Sequence, residues 1–439
     1  MADDAARGVN DTVNVNDDAA YTADDARRAE IERLRRKNYK RNAFFFIFFC
    51  FTWGFGVPFV YATTTMPAFF MLLTGRESVV GVVQALIWLP VVFSVLPRLK
   101  PFARLSRKRF ILAGYMLYGV GFLLFGAAAF VFGYDVRLAL ALLLPVYFLI
   151  NIFNNLIVVF YQEYYVDLIP PERIGWIMGL TCFAESGAAG AGSLLSARLL
   201  GELDIRGYAV SFILAGVLFV LSSLCILISR DIPRLNAHKP HDTPAKYIYD
   251  ALRPLLGDRN VLRLILFTFA LHIIVIPYAF FIVYYQNVLN VTVSLGTINT
   301  LLFASQAVVL PFAGLLSDRF GKTGTVRAYY LTVILCYVLM ILKIPQSWAV
   351  VFFTFGISGL FNMMITLGLV SDLPERYNRF DVLVLLNAAR FIGGAAVSYA
   401  YGFTIERFAA YPAIFAVSAA FSAAACVMAA AKKPERAGE

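Results

Sequence analysis

The sequence contains little charge, little histidine and no recognisable enzyme motif. Charged residues account for 15% of its 439 residues and there are 3 histidines, whereas soluble domains contain about 25% charged residues. The 5 cysteines have the spacing of neither a zinc site nor a disulfide framework. No phosphate-binding Gly-Lys-Ser loop is present. We therefore expect a protein that is not an enzyme and that holds no metal and no cofactor.

Apolar residues are correspondingly abundant. They make up 60% of the chain, and the mean hydropathy is +0.71, whereas soluble domains are about 45–50% apolar. Much of the excess lies in runs of about 20 residues, the length of helix that crosses the hydrocarbon core of a bilayer. The composition predicts an all-α polytopic membrane protein in contact with the lipid bilayer.

We predict twelve transmembrane helices. One long polar interval, 230–260, contains 4 prolines and separates the sixth span from the seventh. The chain therefore divides into an N-terminal six-helix bundle over 42–229, a cytoplasmic central loop over 230–260 and a C-terminal six-helix bundle over 261–431. The approximate limits of spans 1 to 12 are 42–64, 79–96, 110–133, 137–166, 173–199, 208–229, 261–285, 296–316, 326–343, 347–370, 381–403 and 409–431.

Two polar tails, 1–41 and 432–439, flank the bundles. Residues 1–23 are rich in Asp, Asn and Ala, a composition that predicts disorder. Residues 24–41 carry many Arg and Lys around a small apolar side. This pattern predicts a basic juxtamembrane helix that lies along the cytoplasmic membrane surface.

Basic residues are distributed unevenly between alternate loops. With the N-terminus inside, 30 of the 38 Lys and Arg residues fall on the cytoplasmic side and 6 on the outer side, and Arg7 and Arg390 complete the total. Cytoplasmic loops of membrane proteins carry an excess of positive charge, so this distribution predicts that both termini are cytoplasmic. The net charge of +10 reflects topology, and we expect no nucleic-acid partner.

A short basic segment joins predicted spans 8 and 9. It contains Gly314, Asp318, Arg319, Gly321 and Lys322, and this spacing resembles the signature loop of the major facilitator superfamily, a large class of secondary transporters. In such a loop the first glycine lets two helices approach closely and the second permits a tight turn. The aspartate accepts hydrogen bonds from a neighbouring helix N-terminus, and the basic residues hold the loop in the cytoplasm.

The two halves also repeat a pattern of acid, proline and a Glu-Arg pair. Asp167 and Arg173 follow span 4, and Asp372 and Arg376 follow span 10. We interpret these four residues, with the segment that joins spans 8 and 9, as conformational gates in which the acids pair with loop arginines. The resemblance implies parallel repeats with a binding site at the midplane between the halves.

The resemblance implies a monomeric secondary transporter in the plasma (inner) membrane. Its two bundles would rock around a central cavity and expose that cavity alternately to each side. We expect the substrate to be a small polar or anionic solute. A proton is the expected coupling ion, with sodium as the alternative, because span 2 contains no acid for a sodium site.

Two ionisable residues lie in the middle of predicted spans. Glu185 is in span 5 and Arg390 is in span 11, which are equivalent in the six-plus-six repeat. A charge at the centre of a membrane helix costs about 2.5–3.5 kcal/mol on insertion scales, so each is a functional candidate. Glu185 could carry the coupling proton, Arg390 could bind a carboxylate or phosphate of the substrate, or the two could form a structural ion pair.

Three further polar residues are candidates for coupling or substrate contact. Glu163 lies near the inner end of span 4, Asn155 lies on one face of the same span, and Asn387 precedes Arg390 by one helical turn. Pairing with loop arginines is the alternative for Glu163. Hydrogen bonds between helices, worth about 0.6 kcal/mol each, are the alternative for the asparagines.

Other functions are also compatible with a membrane protein of this topology. The alternatives are a lipid or amphiphile translocase, a drug efflux antiporter, and a receptor-like protein that transports nothing. Antiporters of the superfamily often carry a Gly-Pro-Gly-Gly motif in span 5. This span has the glycines without the proline, which favours symport or facilitated transport over proton-driven efflux.

Overall fold

The computed structural model describes residues 15–100, 106–170, 173–202, 204–233, 241–358 and 379–431. In these ranges the regular structure is helical, as predicted, apart from one isolated bridge between Leu99 and His241. The longer helices are Val15–Gly56, Arg107–Phe132, Val136–Leu168, Ile174–Glu202, Asp204–Leu224, Arg259–Val275, Leu295–Ile341, Arg379–Phe408 and Tyr411–Ala431. Shorter α-helices are Thr65–Thr74, Glu77–Trp88, Pro244–Tyr247, Arg253–Leu256 and Tyr278–Val283.

Tight and wide helical turns extend several of these elements. The 3₁₀ segments are Val57–Val60, Leu89–Arg98, Cys225–Ile228 and Pro345–Ser347, and the π segments are Ile248–Leu252 and Tyr284–Val288. Two of the 3₁₀ segments continue a predicted span past a proline, Pro58 and Pro90. Proline removes a hydrogen-bond donor and clashes with the preceding turn, which accounts for the change of helix type.

Six stretches of the described chain are long and apolar enough to cross a membrane. They are Ala29–Thr74, Arg107–Phe132, Val136–Val158, Asp204–Ile228, Arg259–Val288 and Asp381–Phe408. Four shorter apolar helices, Glu77–Phe93, Leu295–Val309, Arg327–Ile341 and Tyr411–Val427, also coincide with predicted spans. These stretches support an integral membrane protein, and the total of twelve spans stays a prediction.

The N-terminal helix differs from the expectation of a separate surface helix. It runs without a break from Val15 to Gly56, so it begins inside the stretch for which we expected disorder. No glycine or proline interrupts the chain between Gly8 and Gly54, and helix propensity therefore carries the helix straight into span 1. Ile31 is 2% exposed and lies in a buried cluster with residues of the N-terminal bundle.

The segment between predicted spans 8 and 9 also differs from expectation. Its backbone is helical, so the expected tight turn does not interrupt the helix Leu295–Ile341. This helix cannot be straight, however. Gln306 and Tyr329 donate to the carbonyls of Gly356 and Thr354 at 2.7 and 3.4 Å, whereas a straight helix would separate the two donors by about 35 Å. The chain must bend sharply between them, as two adjacent membrane spans require.

Each bundle has an aromatic core. In the N-terminal bundle, the rings of Phe69, Phe125 and Phe212 pack with centroids 5.0–6.2 Å apart. In the C-terminal bundle, the rings of Phe281 and Phe355 pack edge to face at 4.7 Å. Such contacts add to the packing that holds helices together in lipid, where apolar burial alone gives little advantage.

The central loop also contacts the N-terminal bundle on the predicted cytoplasmic side. Lys100 donates its backbone N–H to the carbonyl of His241 at 3.0 Å, and its ammonium pairs with Asp242. The hydrogen bond and charge of Lys100 lower the pKa of the Asp242 carboxyl. The central loop is therefore attached to the end of span 2 in this conformation.

Candidate functional site

Asp167, at the end of predicted span 4, is held by two arginines. Arg107, at the start of span 3, forms an ion pair with its carboxylate and also lies 3.3 Å from Asp231. Arg35 of the N-terminal helix donates through Nε to the Asp167 carbonyl at 2.8 Å. The Arg107 side chain is 4% exposed, so loss of its carboxylate partners would leave a buried charge uncompensated.

This cluster agrees only partly with the sequence interpretation of the gate. Asp167 does pair with arginines, but Arg173 is exposed and forms no ion pair with it. Sequence reasoning missed Arg35 and Arg107. A usable signal was the acid-free basic loop before span 3, whose arginines need carboxylates from elsewhere in the bundle.

The other predicted gate residues cannot be placed as side chains. Asp372 and Arg376 lie outside the described residues. For Gly314, Asp318, Arg319 and Gly321 the structure gives helical backbone within Leu295–Ile341 and describes no side chains.

Glu185 lies midway along the helix Ile174–Glu202. Its backbone packs directly on span 1, where a Cβ added to Gly54 would overlap its carbonyl group. The side chain is half-buried and forms no hydrogen bond or ion pair with any described residue. Tyr61 lies within electrostatic range and packs on Phe303 of the C-terminal bundle at 5.1 Å. Other thiol and hydroxyl groups within that range are those of Cys50, Tyr115, Tyr161 and Cys182.

Arg390 lies in the helix Arg379–Phe408 and is also half-buried. Its guanidinium stacks over the ring of Phe391 at 4.3 Å. Its Nε is buried and finds no acceptor among the described residues. Trp88 of the N-terminal bundle inserts beside it, with ring centroids 5.0 Å from Phe391 and 4.8 Å from His272. Sequence reasoning missed Trp88, because one tryptophan in an apolar run carries no distinguishing signal.

The acid and the base therefore lie near the interface between the bundles, but they do not pair with each other. Tyr61, which lies within electrostatic range of Glu185, packs on Phe303 of the C-terminal bundle. Phe391, which stacks with Arg390, packs on Trp88 of the N-terminal bundle. No ion pair joins them in this structure. Each charged group is available to a third partner, either a proton or a solute.

The three remaining candidates for coupling or substrate contact have different surroundings. Asn155 donates to the carbonyls of Asn151 at 2.9 Å and Ile87 at 3.4 Å, so in this structure it links spans 4 and 2. Asn387 is half-buried and makes no hydrogen bond within the described part of the chain. The side chain of Glu163 lies outside those described.

Buried amides connect the two bundles above and beside this site. The Thr64 hydroxyl donates to Asn299 Oδ1 at 2.5 Å, which joins spans 1 and 8. The Ser186 hydroxyl donates to Gln306 Oε1 at 3.4 Å, and Gln306 in turn donates to the Gly356 carbonyl at 2.7 Å. These contacts close the interface between spans 5 and 8 next to Glu185.

A second set of contacts joins spans 2 and 11 on the predicted outer side. The Glu406 carboxylate accepts a hydrogen bond from the backbone N–H of Ser78 at 2.9 Å, in the first turn of the helix Glu77–Trp88. The Tyr411 hydroxyl donates to the Glu77 carboxylate at 3.5 Å. A carboxylate at a helix N-terminus satisfies an otherwise unpaired donor and interacts favourably with the helix dipole.

The same two spans touch through their backbones at Gly81 and Gly402. A Cβ on Gly81 would lie 2.7 Å from the Ser398 carbonyl, and one on Gly402 would lie 2.7 Å from the Glu77 carbonyl. Only glycine permits so close an approach. We call these residues, with Ser78, Glu406 and Tyr411, the outer gate, because they lie on the predicted outer side, and in this structure they are in contact.

Comparison with known proteins agrees with this architecture. The family model described as Major Facilitator Superfamily matches residues 104–398, more than half of the chain. No curated protein matches the sequence.

Solved transporter structures share the fold at low sequence identity. A D-xylose-proton symporter matches with a TM-score of 0.68 and 12% identity, over 90% of this chain and 99% of its own. The partially occluded inward-open form of XylE from E. coli matches with a TM-score of 0.67 and 12% identity, over 92% of this chain and 99% of its own. The nucleoside transporter NupG matches with a TM-score of 0.62 and 11% identity, over 89% and 98%.

Proposed function

The chain belongs to the major facilitator superfamily, and we propose that it carries a small polar or anionic solute by alternating access with a proton as the coupling ion. Its family and the fold it shares with known transporters make it a membrane transporter rather than an enzyme. The direction of coupling that we propose is symport.

The proposed architecture is the twelve-helix arrangement predicted from the sequence. Two six-helix bundles, 42–229 and 261–431, would sit in the plasma (inner) membrane as a monomer with both termini in the cytoplasm. The uneven distribution of basic residues supports this orientation. The contacts between spans 2 and 11 support two bundles that separate and rejoin.

One observation carries the proposal. An acid and a base occupy equivalent spans of the two bundles, border the interface, and have no ionic partner among the described residues. Unpaired charges inside a membrane protein are costly and are characteristic of ion and solute pathways. Glu185 would accept and release the proton, and Arg390 would bind the solute.

The gates would determine which side the site faces. With the outer gate closed by the contacts seen in this structure, a solute and a proton would leave towards the cytoplasm. Opening the outer gate would require spans 2 and 11 to separate at Gly81 and Gly402. The Asp167 cluster would hold the cytoplasmic end of the N-terminal bundle together while it moves.

Proton flux measured in liposomes tests the proposal. Purified protein would be reconstituted with a pH-sensitive dye inside, and sugars, amino acids, organic acids and peptides would be added outside one at a time. We expect at least one solute to bring protons in with the wild-type protein. The Glu185→Gln variant should lose that proton entry, because an amide cannot be protonated at this pH.

The matched control is Glu30→Gln, which removes an exposed acid of the N-terminal helix and should leave proton entry unchanged. Proton entry that survives in Glu185→Gln would move the coupling site to another residue, with Glu163 as the next candidate. Solute uptake that requires sodium and brings no protons in would show that sodium, and not the proton, is the coupling ion. Absence of any solute-dependent flux with folded protein would contradict the transport proposal.

A further inference from the structure

We infer that the transporter moves one monovalent anion together with one proton, so that no net charge crosses the membrane. This inference rests on the proposed function and adds the charge of the substrate and the stoichiometry. It follows from counting the charges that the described interface presents in each state of the transport cycle.

Among the described residues, the buried part of the interface presents one unpaired acid and one unpaired base. Glu185 and Arg390 are the half-buried ionisable residues that border it without an ionic partner within the described part of the chain. The described groups within electrostatic range of Glu185, on its own helix and on neighbouring ones, are thiols and phenols, which are neutral near pH 7. They belong to Cys50, Tyr61, Tyr115, Tyr161 and Cys182.

Among the described residues, the surroundings of Arg390 also lack a compensating charge. Its neighbours are the rings of Phe391 and His272, and Trp88 packs against both. His272 is buried among these rings and its Nε2 has no partner among the described residues. No carboxylate of a described side chain lies within ion-pair distance of the guanidinium. Among the described groups, an anion for Arg390 can therefore come from the solute or, across the interface, from Glu185.

The empty carrier is neutral when Glu185 is ionised. Its carboxylate and the Arg390 guanidinium then carry opposite charges and cancel, which permits the bundles to move through the low-dielectric interior. The proton has left, the solute has left, and the site carries a net charge of zero.

The loaded carrier is neutral only with a monovalent anion. One proton neutralises Glu185, and one negative charge on the solute balances Arg390. A neutral sugar with one proton would leave a net positive charge, and a dianion would leave a net negative one. The cost of an uncompensated charge in the membrane selects the monovalent anion. Because Arg390 forms bidentate contacts with carboxylates well, a monocarboxylate is the substrate class that fits best.

Release follows from the same two charges. When Glu185 loses its proton to the cytoplasm, its negative charge competes with the solute for the field of Arg390. One O–H bond to Glu185 breaks and one proton leaves, and the solute leaves with its own charge unchanged. The atoms and charges balance, with one proton and one anion released on each turn.

Uptake under controlled voltage tests the inference. Reconstituted wild-type protein would be given the members of two matched pairs one at a time, gluconate against glucose and lactate against glycerol. A fixed pH difference would be imposed, and potassium and valinomycin would set the voltage. We expect uptake of a monocarboxylate that changes less than about twofold when 100 mV is imposed. Movement of one net charge would instead change the accumulation ratio by about 50-fold over the same voltage. Protein-free liposomes would correct for diffusion of the free acids.

Variants separate this inference from the proposed function. Arg390→Gln should abolish stabilisation of the protein by monocarboxylates in a thermal unfolding assay, and Arg390→Lys should retain part of it. Proton entry driven by glucose or glycerol and sensitive to voltage would overturn the inference while the transport proposal stands. The inference is also overturned if monocarboxylates stabilise Arg390→Gln as much as the wild type. If no solute of any class brings protons in, the proposed function fails first.

Discussion

At the scale of single residues, two glycines set how closely the bundles approach on the outer side. Gly81 and Gly402 touch backbone to backbone, and a single methyl group at Gly81 would lie 2.7 Å from the Ser398 carbonyl. Overpacking of this kind costs about 1–3 kcal/mol. The strain is present only when the gate is closed, so a methyl group at this position changes the balance between closed and open states.

We predict that Gly81→Ala shifts the protein towards the outward-open state by roughly 5- to 150-fold, the range that corresponds to that cost. The measurement is the labelling rate of Ser398→Cys by a membrane-impermeant maleimide, in a background without the 5 native cysteines. Ser398 is buried in the closed gate. Labelling should be faster in the Gly81→Ala background.

The matched control for this substitution is Gly179→Ala. A Cβ at Gly179 meets no atom within 4 Å, so the same chemical change should leave the labelling rate as it was. Equal labelling rates in the Gly81→Ala and control backgrounds would show that the glycine contact does not limit closure.

At the scale of elements, the ion cluster around Asp167 holds four segments together. Arg107 of span 3 contacts both Asp167 and Asp231, and Arg35 joins the N-terminal helix to them. Breaking a buried ion pair costs about 3–5 kcal/mol, and the value here should be smaller because both carboxylates are partly exposed.

We predict that Arg107→Ala lowers the thermal unfolding temperature of the detergent-solubilised protein. The reference variant is Arg36→Ala, whose side chain is 68% exposed in an ion pair with Glu32 and should contribute little to stability. If Arg107→Ala and Arg36→Ala unfold at the same temperature, the cluster does not stabilise the protein.

The N-terminal helix gives a second prediction at this scale. Its residue Ile31 is buried against the bundle, so the helix should be docked and its arginines should be poor trypsin sites. We predict that Ile31→Ala, which removes about 2–5 kcal/mol of packing, increases the rate of tryptic cleavage near residues 33–41. Glu30→Ala, at an exposed position, should be cleaved as slowly as the wild type.

The sequence predicted elements better than it predicted contacts. Hydropathy and the charge distribution indicated an all-helical membrane protein, because both report the environment of each segment directly. The Glu406 to Ser78 hydrogen bond and the insertion of Trp88 beside Arg390 were not predictable. The first contact joins residues that are 328 positions apart in the sequence, and the second joins residues roughly 300 positions apart. Such pairings depend on how helices pack rather than on local pattern.

The continuous helices were missed for a related reason. Charged residues at 24–41 and at 317–322 suggested a separate surface helix and a tight turn, yet in both stretches the helical backbone continues into the neighbouring predicted span. Charge reports that a segment meets water, but Arg, Lys and Glu are good helix formers, so a charged segment does not by itself end a helix. Sequence pattern therefore indicated which segments are polar but not where each helix ends.

At the scale of the whole molecule, the outer gate couples the two bundles electrostatically. Glu406 of the C-terminal bundle caps the first turn of a helix in the N-terminal bundle, and loss of such a cap costs about 0.5–2 kcal/mol. We predict that Glu406→Gln, which weakens the cap, raises the apparent affinity for solute added from outside by a few fold. Arg407→Gln, an exposed neighbour, should leave that affinity unchanged, and an equal affinity in both variants would rule out the cap as a gate contact.

Alternating access is the central claim about the whole molecule, and the distance across the outer face tests it most directly. Spin labels at Leu138 and Leu342, exposed residues of opposite bundles on that face, would be measured by pulsed electron spin resonance in liposomes. We predict two populations of distances, with the longer one enriched by Gly81→Ala and the shorter one enriched in its absence. A single distance that neither Gly81→Ala nor added solute changes would contradict the account.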